Sequence, residues 1–209
     1  MVTSSYNTLH QHLKLATAAA HSNLECVLAK RGYFDGREQY IQYLQRFLAF
    51  QDEAERALDI AMTAEAVPDW PQRQRAHLAR ADLAKLGAPE RASTRSSGRL
   101  PTITSREHVL GTVYVLEGST LGGAWLLKQL APLGITAANG GSYLASYGSD
   151  RGKMWQRFLF TLEEAHLRGV RAESIATAAI ATFAAARHYL TEAEPAGAMS
   201  AARACSMVA

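Results

Sequence analysis

Apolar residues recur at three- and four-residue spacing along most of the chain, and runs of β-branched residues are short. That period belongs to amphipathic helices. The stripe Leu9, Leu13, Ala16, Ala20, Leu24, Val27 and Leu28 predicts a first helix from about Ser5 to Lys30, closed by Gly32. A second follows from about Arg37 to Thr63, with Tyr40, Tyr43, Leu44, Phe47, Phe50, Ala54 and Leu58 facing inward. Asp69-Trp70-Pro71 places a proline at the start of a third helix, which ends at Gly87. Thr104 to Glu107 reads "TSRE", a capping box that opens a long helix to about Leu130. A short turn is expected at "SYLASY". Ser149-Asp150 opens a helix to about Leu167, and a last one covers about Ala172 to Thr191. The expected fold is an all-α, single-domain helical bundle over residues 1–194 with a disordered tail, 195–209. The loop carrying Arg91, Arg95 and Arg99 reads as a solvated connection rather than a basic binding patch.

Composition narrows the partners. At 209 residues and 48% hydrophobic content the chain suffices for one sizeable core. The net charge of +3 is spread among interspersed charges of both signs. This is no dense Lys/Arg stripe, so no nucleic acid partner is expected. Two cysteines, Cys26 and Cys205, fit free thiols in a reducing compartment. No run of 18 apolar residues occurs, so no membrane span is expected. The first residues lack a basic-then-apolar secretory pattern. A cytoplasmic protein is expected.

The fourth long helix breaks the pattern. "GTVYVLEGSTLGGAWLLKQL" holds Gly111, Gly118, Gly122 and Gly123 inside an apolar periodic segment. Each costs about 1 kcal/mol relative to alanine, roughly 4 kcal/mol together. At 100° per residue Gly118 and Gly122 lie within about 40° of each other, and Gly111 about 20° from Gly118. These three predict one bare stripe. Such a stripe admits either a closely packed helix or a flat ligand near the backbone, and it permits a kink.

One of the seven histidines, His21, falls mid-helix on the apolar side of the first helix. His10 and His12 are expected to be solvated, His77 to sit on an exposed arginine-rich face, His108 in a first turn, and His166 and His188 on polar sides. His21 is either a hydrogen-bonded core residue or a ligand. Glu25 at i+4 is placed to accept its second ring N–H and to fix its tautomer. Lys14, two turns back on nearly the same face, is placed to pair with a ligand carboxylate. No HExxH, CxxC or inward carboxylate set accompanies His21, so a di-iron centre is not indicated. A single protein ligand suits haem, whose macrocycle supplies the other four donors.

"LKLATAAAHSNLE" (Leu13 to Glu25) resembles the proximal helix of haem oxygenases. "YVLEGSTLGGAWLLK" (Tyr114 to Lys128) resembles their distal helix, and "MWQRFLFTLEE" the helix that follows in bacterial members. The resemblance spans roughly residues 8 to 190 and is greatest to bacterial enzymes, including those that supply biliverdin to bacterial phytochromes. It implies haem held between the first helix and a kinked, glycine-rich distal helix. His21 is then the iron ligand, Glu25 its orienting partner and Lys14 a propionate partner. Ala18, Leu24, Tyr114, Gly123, Arg157 and Phe183 complete the expected haem contacts. Gly118, Ser119 and Gly122 lie at the reacting face. Ser119 stands where animal enzymes carry an aspartate that organises distal water. Val113 replaces a tyrosine, and Ala18 a second lysine. The water network must therefore rest on backbone and other side chains.

The implied reaction turns haem, O2 and electrons into biliverdin, Fe²⁺ and CO, with haem both cofactor and substrate. Electrons come from an external donor, since the chain carries no G-x-G-x-x-G fingerprint and no iron–sulfur cysteines. A ferredoxin- or flavin-type reductase is the implied partner, and a bacterial phytochrome the implied biliverdin acceptor. Lys128, Arg151, Lys153 and Arg157 form a mildly basic face for an acidic donor or the propionates. Two rivals share the pattern: a non-catalytic haem carrier or sensor, and a thiamin-pyrimidine hydrolase. The second needs a pocket cysteine, which neither Cys26 nor Cys205 supplies.

Overall fold

The computed structural model describes residues 8–61, 63–90 and 100–191. They form eight α-helices: α1 (Thr8–Arg31), α2 (Arg37–Ile60), α3 (Thr63–Ala66), α4 (Ala76–Lys85), α5 (Arg106–Leu130), α6 (Ser142–Ala145), α7 (Arg151–Leu167) and α8 (Ala172–Thr191). Short 3₁₀ turns lie at Trp70–Gln72, Ala131–Leu133 and Gly148–Asp150. No strand occurs among the described residues. The expected disordered tail and the loop arginines Arg91, Arg95 and Arg99 lie outside them.

α8 is the centre of the packing. α1 and α5 both lie along it, and α2 packs against it as well. Its small buried residues, among them Ala178, Ala179, Ala185 and Ala186, let neighbouring backbones come close. α5 uses this most. A Cβ on Gly111 would stand 2.6 Å from the Ala178 Cβ and 2.6 Å from the Ile175 carbonyl oxygen. The glycine cost there is offset by helix–helix contact. Gly123 is a second packing glycine, with its missing Cβ 2.5 Å from the Leu144 carbonyl oxygen of α6.

The inward positions expected of α2 are all buried. The C-terminal carbonyls of α8, which a helix leaves without intrahelical donors, are met from α1 and just beyond it. Tyr33 Oη donates to Leu190 O at 2.6 Å, and Arg31 Nη2 to Thr191 O at 2.8 Å. Fully buried Asp82 caps α6 by accepting from the Ser142 and Tyr143 N–H groups at 2.9 and 2.7 Å.

Three expectations need correction. The second helix ends at Ile60 rather than Thr63, and a separate short helix follows. The expected third helix is split between a 3₁₀ turn and α4. Between them Arg73 and Arg75 turn inward and are buried, while His77 is exposed as expected. The capping box is offset by one residue: Ser105 caps α5, its Oγ accepting from His108 N, while Thr104 precedes the cap.

Candidate functional site

α1 and α5 run in the same direction along α8. His21 of α1 meets Phe183, and Tyr33, twelve residues on, meets Leu190. Glu107 of α5 faces the charge of Arg171, and Gly111, one turn on, meets Ala178. The two helices approach each other where the Tyr114 hydroxyl faces the Thr17 side chain. Thr17 Oγ1 donates in turn to Leu13 O at 2.8 Å. One turn further along each helix stand His21 and Gly118. Large side chains joined the helices at Tyr114. Beyond it α5 offers two glycines, Gly118 and Gly122, whose missing Cβ atoms have nothing within 4 Å.

His21 is not a core residue. Its side chain is 56% exposed, and its ring meets the Phe183 ring edge-on at 5.8 Å. Phe183 is buried. His21 Nδ1 lies 3.5 Å from a Glu25 carboxylate oxygen. That carboxylate is placed to orient the ring and to leave Nε2 available. The i,i+4 spacing on one helix sets the pairing. Lys14 and Ala18 are exposed on α1, and Leu24 is half-buried beside α8.

The glycine stripe divides by neighbour. A Cβ on Gly118 or Gly122 would have nothing within 4 Å, whereas Gly111 and Gly123 are in tight contact with α8 and α6. So the expected three-glycine stripe and the haem contact expected of Gly123 are both revised. Gly118 and Gly122 alone border open space. Trp125 lies about 20° from Gly118 around the helix, and it is 65% exposed, with Leu121 also uncovered. Sequence reasoning passed over Trp125, although its seven-residue spacing from Gly118 marks the same face. α5 is unbroken from Arg106 to Leu130.

Aromatic rings cluster around Tyr114, one turn before Gly118. His10 lies 5.5 Å from Trp155, and Tyr114 5.8 Å from Trp155. His10 is therefore half-buried rather than solvated. Burial, then the charge of Lys14, lowers its pKa below the ordinary histidine value.

Behind Gly118 a buried polar network holds α5. Glu117 accepts from Tyr147 Oη at 2.7 Å and from Arg73 Nη1 at 2.5 Å. Burial pushes the Glu117 carboxyl up, and Arg75, Arg73 and Tyr147 pull it part of the way back. Arg73 also makes a two-point pair with Asp69, at 2.6 and 2.8 Å. Burial alone would raise Asp69, but Arg73 and Arg157 outweigh it and hold its carboxyl below the usual range. Arg157, 55% exposed, meets Asp69 at 3.3 Å. Of the other basic residues expected on that face, Lys153 pairs with Asp150 and Arg151 donates to Ala145 O, while Lys128 is exposed. Ser119 Oγ donates to Leu116 O at 2.6 Å, and Arg75 Nη2 donates to the same oxygen at 2.6 Å. No group of three or more metal-ligating side chains occurs among the described residues.

Residues 7–192 match the family model described as heme oxygenase. A relative from Pseudomonas aeruginosa, heme oxygenase PigA, is 31% identical over 157 residues, covering 75% of this chain and 78% of its own length. The crystal structure of the NO- and CO-bound heme oxygenase from Neisseria meningitidis superposes with a TM-score of 0.75 at 25% identity, over 90% of this chain and 97% of that one. The heme oxygenase from Leptospira interrogans shares the fold at a TM-score of 0.72 and 19% identity, over 88% and 99% of the two chains.

Proposed function

This chain belongs to the haem oxygenase family, and from that premise we propose that it cleaves haem with O2 and externally supplied electrons to biliverdin, Fe²⁺ and CO. The observations that support this reading are an exposed histidine with a carboxylate beside it on α1 and, one turn past the Tyr114–Thr17 meeting point, two glycines on α5 whose missing side chains leave open space. The residues fit haem. One histidine supplies the single protein ligand that a macrocycle with four nitrogen donors requires. Haem supplies the iron chemistry at which O2 is activated and the ring that is opened.

The chain does the rest. His21 anchors the iron side, and Glu25 fixes its ring orientation and tautomer. Phe183 packs edge-on against the imidazole and limits its rotation. Gly118 and Gly122 keep the opposite face clear at backbone distance, so backbone groups and their solvent border the reacting edge. Lys14 pairs with a propionate at the rim. Tyr114, Trp155 and His10 stop the ring from sliding along α1. Electrons arrive from a ferredoxin- or flavin-type reductase, and biliverdin passes to an acceptor such as a bacterial phytochrome.

The test is direct. Hemin is added one-to-one, then a reductant in air, and the spectrum is followed. A Soret band that gives way to a biliverdin spectrum with CO release is the expected result. A stable Soret band without bilin would select a carrier or sensor and defeat the proposal.

Glu25→Gln separates orientation from binding. The variant is expected to keep a haem complex but to shift its iron–histidine stretch and lose roughly 10–100-fold in affinity or turnover. Resonance Raman and single-turnover assays read both. Identity with the parent in all three measures removes Glu25 from the site.

A further inference from the structure

We propose that His10 is a second carboxylate partner at the porphyrin site, one that takes up a proton when a porphyrin carboxylate closes on Lys14, so that porphyrin capture draws a proton from solvent. The proposal deepens the haem oxygenase reading and rests on it. It does not depend on the iron ligand.

His10 stands in the first turn of α1, four residues before Lys14, so the two side chains share a face. Its ring is held between α1, α5 and α7. It meets Trp155 of α7 edge-on at 5.5 Å, with 75° between the planes, and Tyr114 of α5 at 6.4 Å and 62°. Among the described residues no hydrogen bond reaches either ring nitrogen. A neutral imidazole carries one donor and one acceptor, and a charged one two donors. Here the protein claims neither.

The titratable groups facing the ring are Lys14 from its own helix and Tyr114 from α5, while the α7 neighbour, Trp155, carries none. Burial first, and the Lys14 ammonium second, lower the His10 pKa. Burial raises that of the Tyr114 phenol, which stays neutral. No carboxylate acts on His10 among the described residues. His21 differs, because Glu25 stands 3.5 Å from its Nδ1. Two basic side chains one turn apart, with no acid between them, suit an anion brought from outside. A porphyrin carboxylate at Lys14 would cancel the charge that opposes protonation and offer an acceptor to an unclaimed ring nitrogen. Both favour the imidazolium. The ring is already half-buried, so a porphyrin edge adds less burial than its carboxylate adds charge.

Linkage gives the sign. A group whose pKa rises on binding takes up protons, so its contribution to affinity grows as pH falls toward the haem-free pKa and is absent above the raised one. His10 thereby favours porphyrin capture on the acid side of neutrality, where imidazoles titrate.

Gallium(III) protoporphyrin IX, a diamagnetic stand-in for haem, and its dimethyl ester test this in the intact chain. The His10 imidazole signal is assigned by its loss in His10→Gln and followed by NMR across the range in which imidazoles titrate. Its midpoint is expected to move up by about one pH unit with the free-acid porphyrin and not to rise with the ester. Hemin affinity, read by absorption titration, is expected to fall about fivefold in His10→Gln relative to the parent near pH 6, and by less than about twofold near pH 8. His10→Phe keeps a ring against Tyr114 and Trp155 and should show the same pH-dependent loss. If His10→Gln does not fold, His10→Phe serves for both the assignment and the affinities. A midpoint that stays put with the gallium porphyrin, or that rises as far with the ester, overturns the proposal. So does a loss of hemin affinity that is equal at both pH values. A chain that binds neither hemin nor the gallium porphyrin defeats the haem reading and this proposal together, whereas binding with an unmoved His10 midpoint defeats this proposal alone.

Discussion

His21→Ala is expected to abolish the iron–histidine stretch and to depress haem affinity and turnover beyond the roughly 10–100-fold that losing an outer partner such as Glu25 costs. The reason is that no other side chain on α1 can replace it. Among its neighbours on that face, Lys14 and Ala18 offer no imidazole, and His10 is engaged with Tyr114 and Trp155 beyond Thr17. The fold should not notice the change. The side chain is more than half exposed, it makes one ring contact, and alanine is the better helix former. Substitutions at such sites move stability by about 0.5 kcal/mol or less. Differential scanning calorimetry of the haem-free protein and resonance Raman of the complex separate the two outcomes. A retained iron–histidine stretch would defeat the ligand assignment, and a collapsed melting transition would show that the histidine is structural.

The glycines give the second large effect, because they predict opposite signs at positions only a few turns apart. At Gly118 and Gly122 a methyl meets open space in the haem-free protein. Alanine there should raise stability by up to about 1 kcal/mol, or roughly 2–4 °C for a chain of this size. In the proposed haem complex, the same methyl would stand at the reacting face. The Soret band should persist while biliverdin formation fails and peroxidase-like behaviour appears, since the backbone and its solvent are pushed from the ring. At Gly111 the result reverses. A methyl there collides with Ala178 and the Ile175 carbonyl, and overpacking of this kind costs about 1–3 kcal/mol. Gly111→Ala should melt earlier and, where folded, still make biliverdin. Thermal melts and single-turnover product are measured together. Normal biliverdin yield in both Gly118→Ala and Gly122→Ala would sink the assignment of those glycines.

Much of this was readable in the sequence. Periodicity placed α5, α7 and α8 closely, because long helices with a strong apolar face report their own ends. It erred at Asp69 to Gly87, where the continuous helical pattern conceals a break. Arg73 and Arg75 look like solvated charges in a basic stretch. Only the fold reveals Glu117 and the Leu116 carbonyl waiting for them, forty residues away. The glycine stripe was visible as an anomaly, but its division into packing and open positions depends on where α8 and α6 lie. His21 was singled out for an inward position it does not hold. Its spacing from Glu25 and Lys14 was informative. Its burial was not, because a helix that borders open space carries the same apolar rhythm as one that borders a core.

In the proposed function, the uncovered face of α5 would tie the lifetime of the protein to its supply of porphyrin. Trp125 and Leu121 are left uncovered on the glycine face, so a bound haem would complete an unfinished hydrophobic surface. A ligand at one hundred times its dissociation constant stabilises the native state by about 2.7 kcal/mol. Here that ligand is consumed. Each catalytic cycle ends by removing the piece that rigidified the molecule, and local opening, the step that proteases exploit, becomes more frequent until the next porphyrin arrives. Under porphyrin scarcity the pool of this enzyme would be cleared faster than under abundance, with no change in its synthesis.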